Sequence, residues 1–141
     1  MAPPDGTYYI RNVKHNAYYL TYAQGYIVAS PNNISLWDVK TSDGKTIIGQ
    51  PKTLMVFDLD GGAAAEGTAI LFYADKNASN QVWTLIPVGN PANSIFYIVN
   101  GMQTDRQIGM QSDLVNRDVR SHRLEEAEEN QWKFVLWEPV Q

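Results

Sequence analysis

Three side chains in the middle of the sequence have the chemical types that a small sugar-binding site requires. The carboxylate of Asp58 can accept hydrogen bonds from two neighbouring hydroxyl groups, and the Asn80 amide can donate to and accept from one hydroxyl. The aromatic ring of Tyr73, with Phe72 as the alternative, offers a flat face to the C–H groups of a sugar. These residues indicate a shallow site that binds its ligand reversibly, with no covalent step.

The elements that must position these residues are short strands. Runs rich in Val, Ile, Tyr, Phe and Thr alternate with Gly, Pro, Asn and Asp, which is typical of an all-β chain. We predict twelve strands, at Thr7–Val13, Ala17–Tyr22, Tyr26–Ala29, Ser35–Thr41, Thr46–Gly49, Thr53–Asp58, Ala69–Tyr73, Gln81–Pro87, Ile95–Asn100, Arg106–Met110, Asp118–Arg123 and Gln131–Trp137. The charged stretch Leu124–Glu129 is expected to form a turn or a single helical turn.

Three tryptophans divide the chain into similar units. Trp37, Trp83 and Trp132 are 46 and 49 residues apart, and each closes a unit that opens with an apolar strand. We therefore predict one domain, 1–141, with four-stranded repeats at about 6–43, 44–91 and 92–141, the first shorter by about eight residues. Such a threefold chain is expected to close into a barrel with the tryptophans in its core, because closure removes unpaired strand edges.

The second repeat contains a pattern that resembles the QxW repeat of ricin-B-type (R-type) lectins. Phe57-Asp58-Leu59-Asp60-Gly61-Gly62 is followed by Glu66-Gly67-Thr68-Ala69-Ile70-Leu71-Phe72-Tyr73 and then by Asn80-Gln81-Val82-Trp83. This is the family's order of a strand ending in Asp, a glycine turn, a strand ending in an aromatic residue and an Asn-Gln-x-Trp loop. The opening segment Asp5–Val13 is similar to that of mushroom members. The resemblance implies an all-β, β-trefoil fold for the whole chain.

The resemblance also implies a ligand, namely terminal galactose or N-acetylgalactosamine. The carbohydrate-binding residues that it implies are Asp58, Asp60, Gly61, Gly62, Tyr73, Asn80 and Gln81. Among them Gln81 would brace the loop rather than touch the sugar. A backbone N–H of Gly61 or Gly62 can reach a hydroxyl, because glycine has no side chain to block the approach.

The biological role that the resemblance implies is that of a fungal defence lectin. Its partners would be the glycans of glycoproteins or glycolipids. One shallow site usually binds a monosaccharide with a dissociation constant on the order of millimolar. Useful avidity would therefore need a homodimer or clustered glycans.

The first and third repeats depart from the pattern. In the first repeat, Ile34, Ser35 and Ile27 stand where Asn, Gln and an aromatic residue are expected, so no sugar site is predicted there. In the third, Glu129, Asn130 and His122 stand at these places, and no Asp matches Asp58; the nearest are Asp105 and Asp113. A non-standard second site is left open, built from His122, Arg123, Asp113 or Asn130. One main site per chain is expected.

Composition excludes several classes of function. The chain has 11 Lys and Arg against 15 Asp and Glu, a formal charge of −4, so we expect no nucleic-acid partner. Cysteine is absent, no run approaches 18 apolar residues, and no signal peptide is recognisable. We therefore expect a cytoplasmic protein that does not insert into a membrane.

No pattern indicates an enzyme, a metal site or a cofactor. His15 and His122 each lack a second ligand at metal-binding spacing. In an extended chain Asp58 and Asp60 do not flank a cleft as the carboxylates of a glycosidase do. No phosphate-binding glycine loop or serine-histidine-aspartate order occurs.

The alternative to a lectin is a β-trefoil protease inhibitor. Mushroom inhibitors of the mycocypin and mycospin type have a similar length and a similar Gly-Thr-Tyr opening, and they insert exposed loops into a protease cleft. The candidate loops here are Val13–Ala17, Ala29–Asn33, Gly89–Ser94 and Leu114–Asp118. An inhibitor has no need of the combined Asp, glycine turn, aromatic residue and Asn-Gln-x-Trp, so the second repeat favours the lectin.

Overall fold

Twelve strands form the regular structure of residues 2–110 and 119–138, which are the residues that the computed structural model describes. The strands are β1 Gly6–Asn12, β2 Tyr19–Ala23, β3 Tyr26–Ser30, β4 Trp37–Ser42, β5 Lys45–Gly49, β6 Met55–Leu59, β7 Ile70–Ala74, β8 Trp83–Pro87, β9 Ile95–Asn100, β10 Arg106–Met110, β11 Val119–Arg123 and β12 Trp132–Leu136. Single 3-10 turns lie at Asp60–Gly62, Ser79–Gln81, Pro91–Asn93 and Glu128–Asn130. The prediction of an all-β chain with these strands is confirmed.

The strand bounds differ from the prediction by one or two residues at several ends. The strand predicted to begin at Gln81 begins instead at Trp83, because Gln81 ends a 3-10 turn in which the Val82 N–H donates to the Ser79 carbonyl. The strand predicted over Asp118–Arg123 is described from Val119 onward, and Asp118 lies outside the described residues.

Six of the strands close into a barrel. Strands β1, β4, β5, β8, β9 and β12 pair antiparallel in that order, and β12 pairs with β1 to complete the ring. The other six form three hairpins, β2–β3, β6–β7 and β10–β11, each continuing from a barrel strand. Closure leaves the barrel strands without a free edge.

The core is built by alternation along the strands. In β1, for example, Tyr8, Ile10 and Asn12 point inward while their neighbours are half-buried. Trp37, Trp83 and Trp132 are at most 1% exposed, so the prediction that they are core residues is confirmed. Around them lie other buried apolar side chains, among them Ile10, Leu20, Ile48, Phe57, Phe96, Ile98, Ile108 and Phe134.

One hydrogen bond, repeated three times, defines which residues are equivalent. The indole N–H of Trp37, Trp83 and Trp132 donates to the carbonyl of Leu20 (2.9 Å), Phe57 (3.2 Å) and Ile108 (2.9 Å), respectively. Each acceptor lies on the first strand of a hairpin. The residues that follow the acceptors are therefore structurally equivalent, and they are Thr21, Asp58 and Gly109.

Candidate functional site

An open depression on the second repeat brings together five of the seven residues predicted from the sequence. Those five are Asp58, Asp60, Gly61, Tyr73 and Asn80. Leu71, Lys76, Ala78 and Met102 complete the lining. The other two predicted residues, Gly62 and Gln81, are buried beside the depression and do not line it.

The β6–β7 hairpin decides which aromatic residue faces the depression. Tyr73 pairs with Val56, two places from the pair of Asp58 with Leu71, so the side chains of Tyr73 and Asp58 lie on one face. Phe72 points to the opposite face, where its ring centroid is 5.9 Å from that of Trp37. Tyr73 is 43% exposed, and the structure therefore favours it over Phe72 as the stacking residue.

The Asp58 carboxylate is held from both sides. Its Oδ1 accepts a hydrogen bond from Asn80 Nδ2 at 3.1 Å, and its Oδ2 accepts one from Gln81 Nε2 at 2.8 Å. Asp58 lies in strand β6 and is only 5% exposed. A carboxylate offers about four acceptor positions, so the two amides orient the group and leave acceptor capacity for a ligand.

Burial also changes the acidity of this group. Loss of solvent raises the pKa of the Asp58 carboxyl above the ordinary aspartate value, and this is the largest effect. The hydrogen bond from Gln81 lowers that pKa and the nearby Asp60 carboxylate raises it. The Lys76 ammonium lowers the same pKa, and the net direction is upward.

Asn80 is committed to the protein more fully than the sequence predicts. Besides its bond to Asp58, Nδ2 donates to the Leu59 carbonyl at 3.0 Å, so both amide hydrogens have protein acceptors. Its own backbone carbonyl accepts from Asn100 Nδ2 at 3.1 Å, which fixes the loop from the third repeat. The expectation that Asn80 both donates to and accepts from a sugar hydroxyl is therefore corrected: its Oδ1 is the side-chain atom left for a ligand.

Gln81 braces the loop between the hairpin and the second tryptophan. Its Nε2 also donates to the Ala74 carbonyl at 2.9 Å, and its Oε1 accepts from the Lys76 backbone N–H at 2.8 Å. The side chain is 1% exposed, so it does not contact a ligand in the depression.

The glycine turn places one glycine at the depression and the other below it. Gly61 has a φ of 61°, a left-handed conformation that favours glycine, and a Cβ there would meet no atom within 4 Å. Gly62 is buried, and its carbonyl accepts from Gln103 Nε2 at 2.8 Å. The turn also brings Asp60 to the same depression as Asp58.

Two lining residues had no clear signal in the sequence. The Lys76 ammonium lies 4.5 Å from the centroid of the Tyr73 ring and covers one of its faces. Its place in the loop between Tyr73 and Asn80 is the one sign that could have suggested it. Met102 comes from the loop after β9 in the third repeat, and no spacing within the second repeat predicts it.

In the third repeat, the residue equivalent to Asp58 is Gly109. The pairing of Gln107 with His122 matches that of Val56 with Tyr73, so His122 occupies the aromatic place as predicted. Asn130 is 1% exposed, and its Oδ1 would lie 2.0 Å from a Cβ added to Gly109. Arg123 is exposed; its backbone N–H donates to Glu66 Oε1 at 3.2 Å, and its Nη2 lies 4.0 Å from Glu66 Oε2. Asp113 lies outside the described residues.

The first repeat has a small hydroxyl pair instead of the carboxylate and amide. Thr21, equivalent to Asp58, shares a 2.6 Å hydrogen bond with Ser35. The pairing of Tyr19 with Ser30 shows that Ser30, and not Ile27, stands in the aromatic place. Counting backward from Trp37 gave the wrong residue because the loop before Trp37 is shorter here. The absence of an aromatic residue from this place is unchanged.

The described residues add three further observations. Residues 2–110 and 119–138 contain no group of three or more His, Asp or Glu side chains that could hold a metal ion. No helix in those ranges has the length and apolar character needed to cross a membrane. Of the four loops considered for protease inhibition, Leu114–Asp118 lies outside the described residues.

Comparisons with known proteins identify the fold. No protein-family model matches the chain, and no curated protein sequence matches it. Among solved structures, the designed threefold-symmetric protein ThreeFoil superposes with a TM-score of 0.76 at 14% identity, over 93% of this chain and 99% of that one. The Polyporus squamosus lectin gives 0.77 at 19% identity, and an exo-β-1,3-galactanase from Clostridium thermocellum gives 0.80 at 16%. The fold is a β-trefoil.

The lengths of these neighbours differ. This β-trefoil is matched over 95% of its length by half of the Polyporus squamosus lectin chain, and over 97% by 31% of the galactanase chain. The neighbours therefore include a lectin and a glycosidase, in which the trefoil is one part of a longer protein.

Proposed function

We propose that this β-trefoil binds carbohydrate, specifically terminal galactose or N-acetylgalactosamine, through the depression on its second repeat, and catalyses no reaction. The observation that carries the proposal is the Asp58 carboxylate, nearly buried at a surface depression and oriented by the amides of Asn80 and Gln81. A buried carboxylate is costly without partners, so its placement beside an exposed tyrosine and an open glycine is informative.

The mechanism follows from the atoms that remain available. Asp58 accepts hydrogen bonds from two adjacent sugar hydroxyls, and Asn80 accepts one through Oδ1. The backbone N–H of Gly61 approaches a hydroxyl because its surroundings are open. Tyr73 packs against the C–H face that an axial 4-hydroxyl leaves free in galactose, and the Lys76 side chain must share or leave that ring.

Three of the similar structures support the proposal, because their names include galactose-containing sugars. The Polyporus squamosus lectin structure holds Neu5Acα2-6Galβ1-4GlcNAc, which contains galactose. A Clostridium perfringens endo-β-galactosidase that releases GlcNAcα1-4Gal and the Clostridium thermocellum exo-β-1,3-galactanase act on galactose-containing chains. Each shares the fold with this chain at 16% to 19% identity.

The proposal also includes avidity, the gain in apparent affinity when several weak sites bind together. One depression of this kind gives a dissociation constant on the order of millimolar for a monosaccharide. We therefore propose that the chain binds clustered glycans of glycoproteins or glycolipids, or binds as a homodimer. We propose further that it is a cytoplasmic defence lectin of a fungus. Light scattering of the purified protein measures the oligomeric state directly.

The test is a glycan array followed by titration with lactose. Binding to terminal galactose or N-acetylgalactosamine glycans that free lactose abolishes is the expected result. Asp58→Asn should weaken lactose binding at least about tenfold, since hydrogen bonds to a charged group contribute roughly 1.5–3 kcal/mol. The matched control is Asp38→Asn, because Asp38 is also partly buried, accepts from Thr7 Oγ1 and does not line the depression.

A second pair of variants tests the stacking residue. Tyr73→Ala should abolish detectable lactose binding, whereas Tyr26→Ala, which removes a tyrosine of similar exposure (46% against 43%), should leave it unchanged. A blank array with folded protein would overturn the proposal, and a panel of serine and cysteine proteases would then be assayed. Release of sugar from a bound galactoside would overturn the claim that no reaction is catalysed.

A further inference from the structure

Another depression, lined by Ile86 of the second repeat and otherwise by residues of the third, takes no part in the proposed sugar site. Ile86, Tyr97 and Val99 form its floor, and the segment 124–126, which begins with Leu124, forms its wall. Ile86 is 43% exposed and Leu124 is 45% exposed. We call this feature the β9 groove, because strand β9 runs along its floor.

Strand pairing explains why the floor is apolar. Ile86 pairs with Tyr97 across β8 and β9, and Val99 pairs with Gln107 across β9 and β10. These residues alternate with core residues such as Ile98, so their side chains lie on the outer face of the barrel. The groove is therefore part of the regular sheet surface.

A buried amide with an unused acceptor contributes to the lining. Gln107 is 1% exposed, and its Nε2 donates to the carbonyls of Arg123 (3.0 Å) and Glu125 (3.1 Å), which ties the wall to the floor. Its Oε1 has no hydrogen-bond partner among the described residues. A buried acceptor left without a donor is destabilising, so an N–H donor brought by a ligand would be stabilising.

The wall carries two negative charges. Glu125 and Glu126 are exposed, and neither forms an ion pair within residues 2–110 and 119–138. The third repeat differs here from the second. The Leu124 N–H donates to the Asp105 carbonyl as the Asp75 N–H donates to the Leu54 carbonyl, so Glu125 is equivalent to Lys76. The third repeat thus has an acidic residue where the second has a basic one.

From these features we propose that the β9 groove binds a lysine side chain that a partner protein presents. The four-carbon stem of lysine matches an apolar floor, and its ammonium has three donors and a positive charge. The stem packs on Ile86, Tyr97 and Leu124. The ammonium pairs with Glu125 and Glu126, and one of its three N–H groups can donate a hydrogen bond to Gln107 Oε1.

The experiment is a titration followed by ¹⁵N–¹H NMR of the full chain with Nα-acetyl-lysine methylamide. Binding with a dissociation constant on the order of 10 mM should shift the backbone signals of 124–126 and the Gln107 side-chain amide signal. Nα-acetyl-norleucine methylamide has a comparable stem and no charge, and Nα-acetyl-arginine methylamide has a different cation; both are expected to bind at least about fivefold more weakly.

Matched variants distinguish binding of lysine in the β9 groove from a general effect of the protein's negative charge. Glu125→Gln with Glu126→Gln should weaken lysine binding at least fivefold, by the loss of charge pairing. Glu128→Gln with Glu138→Gln removes the same charge elsewhere and should leave binding unchanged. Ile86→Ser, at an exposed position, should also weaken it.

Any of four results would overturn the proposal: no shift at 50 mM probe, equal shifts with the norleucine probe, tighter binding of the arginine probe, or shifts confined to the Asp58 depression. Because lactose binding and lysine binding are measured separately, failure of this proposal leaves the sugar site untouched. Failure of the sugar-site proposal likewise leaves the lysine-binding proposal untouched.

Discussion

The second and third repeats have equivalent strands, an equivalent buried tryptophan and the same indole hydrogen bond, yet they differ at the positions that form the proposed site, above all at that of the carboxylate. The second has Asp58 where the third has Gly109. In the second repeat the side-chain amides of Asn80 and Gln81 both donate to the Asp58 carboxylate. Around Gly109 the Asn130 side chain fills the space, and neither its Oδ1 nor its Nδ2 has a partner among the described residues.

The brace of the loop has also changed position. In the second repeat Gln81, just before the tryptophan, donates to the Ala74 carbonyl. In the third, Gln107 on the hairpin strand donates to the equivalent Arg123 carbonyl. Asn130, equivalent to Gln81, has a shorter side chain and forms no such bond. The repeated backbone therefore needs a side-chain amide at the same carbonyl in both repeats, but a different residue supplies that amide in each. Of these two repeats, only the second has the carboxylate next to it.

The largest expected effect tests whether the two cores are equivalent. Trp83→Ala and Trp132→Ala should each lower the free energy of unfolding by about 3–5 kcal/mol, since each removes a fully buried indole and leaves a cavity. Urea denaturation of both variants measures this. A cost below 1 kcal/mol for either one would show that the repeats do not share a core.

The next effect compares the two braces. Gln81→Leu should cost about 2–3 kcal/mol, because the buried Asp58 carboxylate and the Lys76 N–H both lose a partner. Gln107→Leu should cost about 1 kcal/mol, since it also removes an acceptor, Oε1, for which residues 2–110 and 119–138 offer no donor. The reverse order in urea denaturation would contradict the assignment of Gln81 as the more important brace.

A graft sharpens the comparison at the site itself. Gly109→Asp alone should lower the free energy of unfolding by about 1–3 kcal/mol, because its Cβ would lie 2.0 Å from Asn130 Oδ1 and 2.7 Å from His122 Cδ2. Adding Asn130→Gln and Gln107→Val restores the second-repeat arrangement and should recover at least about 1 kcal/mol of that loss. Thermal unfolding of the single and triple variants is the measurement, and strictly additive costs would contradict it.

The smallest expected effect is on the pH dependence of lactose binding, which follows from the Asp58 carboxylate of the second repeat. Lactose binding needs ionised Asp58, and burial raises the pKa of that carboxyl, so binding should be lost on acidification at a higher pH than for an exposed aspartate. Lys76→Met removes a charge that lowers the pKa, so binding should be lost at a still higher pH. Titrations of lactose at several pH values test both statements, and a midpoint that moves to lower pH in the variant would contradict them.

The same shift has a consequence for stability. A carboxyl whose pKa is raised in the folded state binds its proton more tightly there than in the unfolded chain. The contribution of Asp58 to the free energy of unfolding therefore decreases as the pH rises from the ordinary aspartate value through the raised one. Asp38→Asn, used as before, is the control for removing a carboxylate that does not line the depression.

Much of the candidate site could be predicted because its residues lie in order along one repeat. Asp58, Tyr73 and Asn80 follow one another at strand ends and in one loop, and the structure brings all three to one depression. The partners of Asn80 could not be predicted, because Leu59 is reached by a turn and Asn100 belongs to another repeat.

Counting along the chain also has a limit that the first repeat shows. A fixed offset from Trp37 selects Ile27, a core residue that is 1% exposed, whereas strand pairing selects Ser30. Counting a fixed number of residues back from the tryptophan assumes that the loop before it has a constant length. Strand register makes no such assumption, since hydrogen bonds between the strands set it.

What the sequence determined by itself is the all-β, threefold architecture and the order of the site residues. Alternation of apolar and polar residues sets which side of a strand is buried, and three spaced tryptophans set the repeat. What only the tertiary structure decided is how those side chains are used. Both hydrogens of the Asn80 amide are taken by the protein, Lys76 covers one face of Tyr73, and the Asn130 amide beside Gly109 has no hydrogen-bond partner among the described residues. Hydrogen bonds and burial depend on distances between segments that are far apart in sequence, and only the closed barrel with its three hairpins fixes those distances.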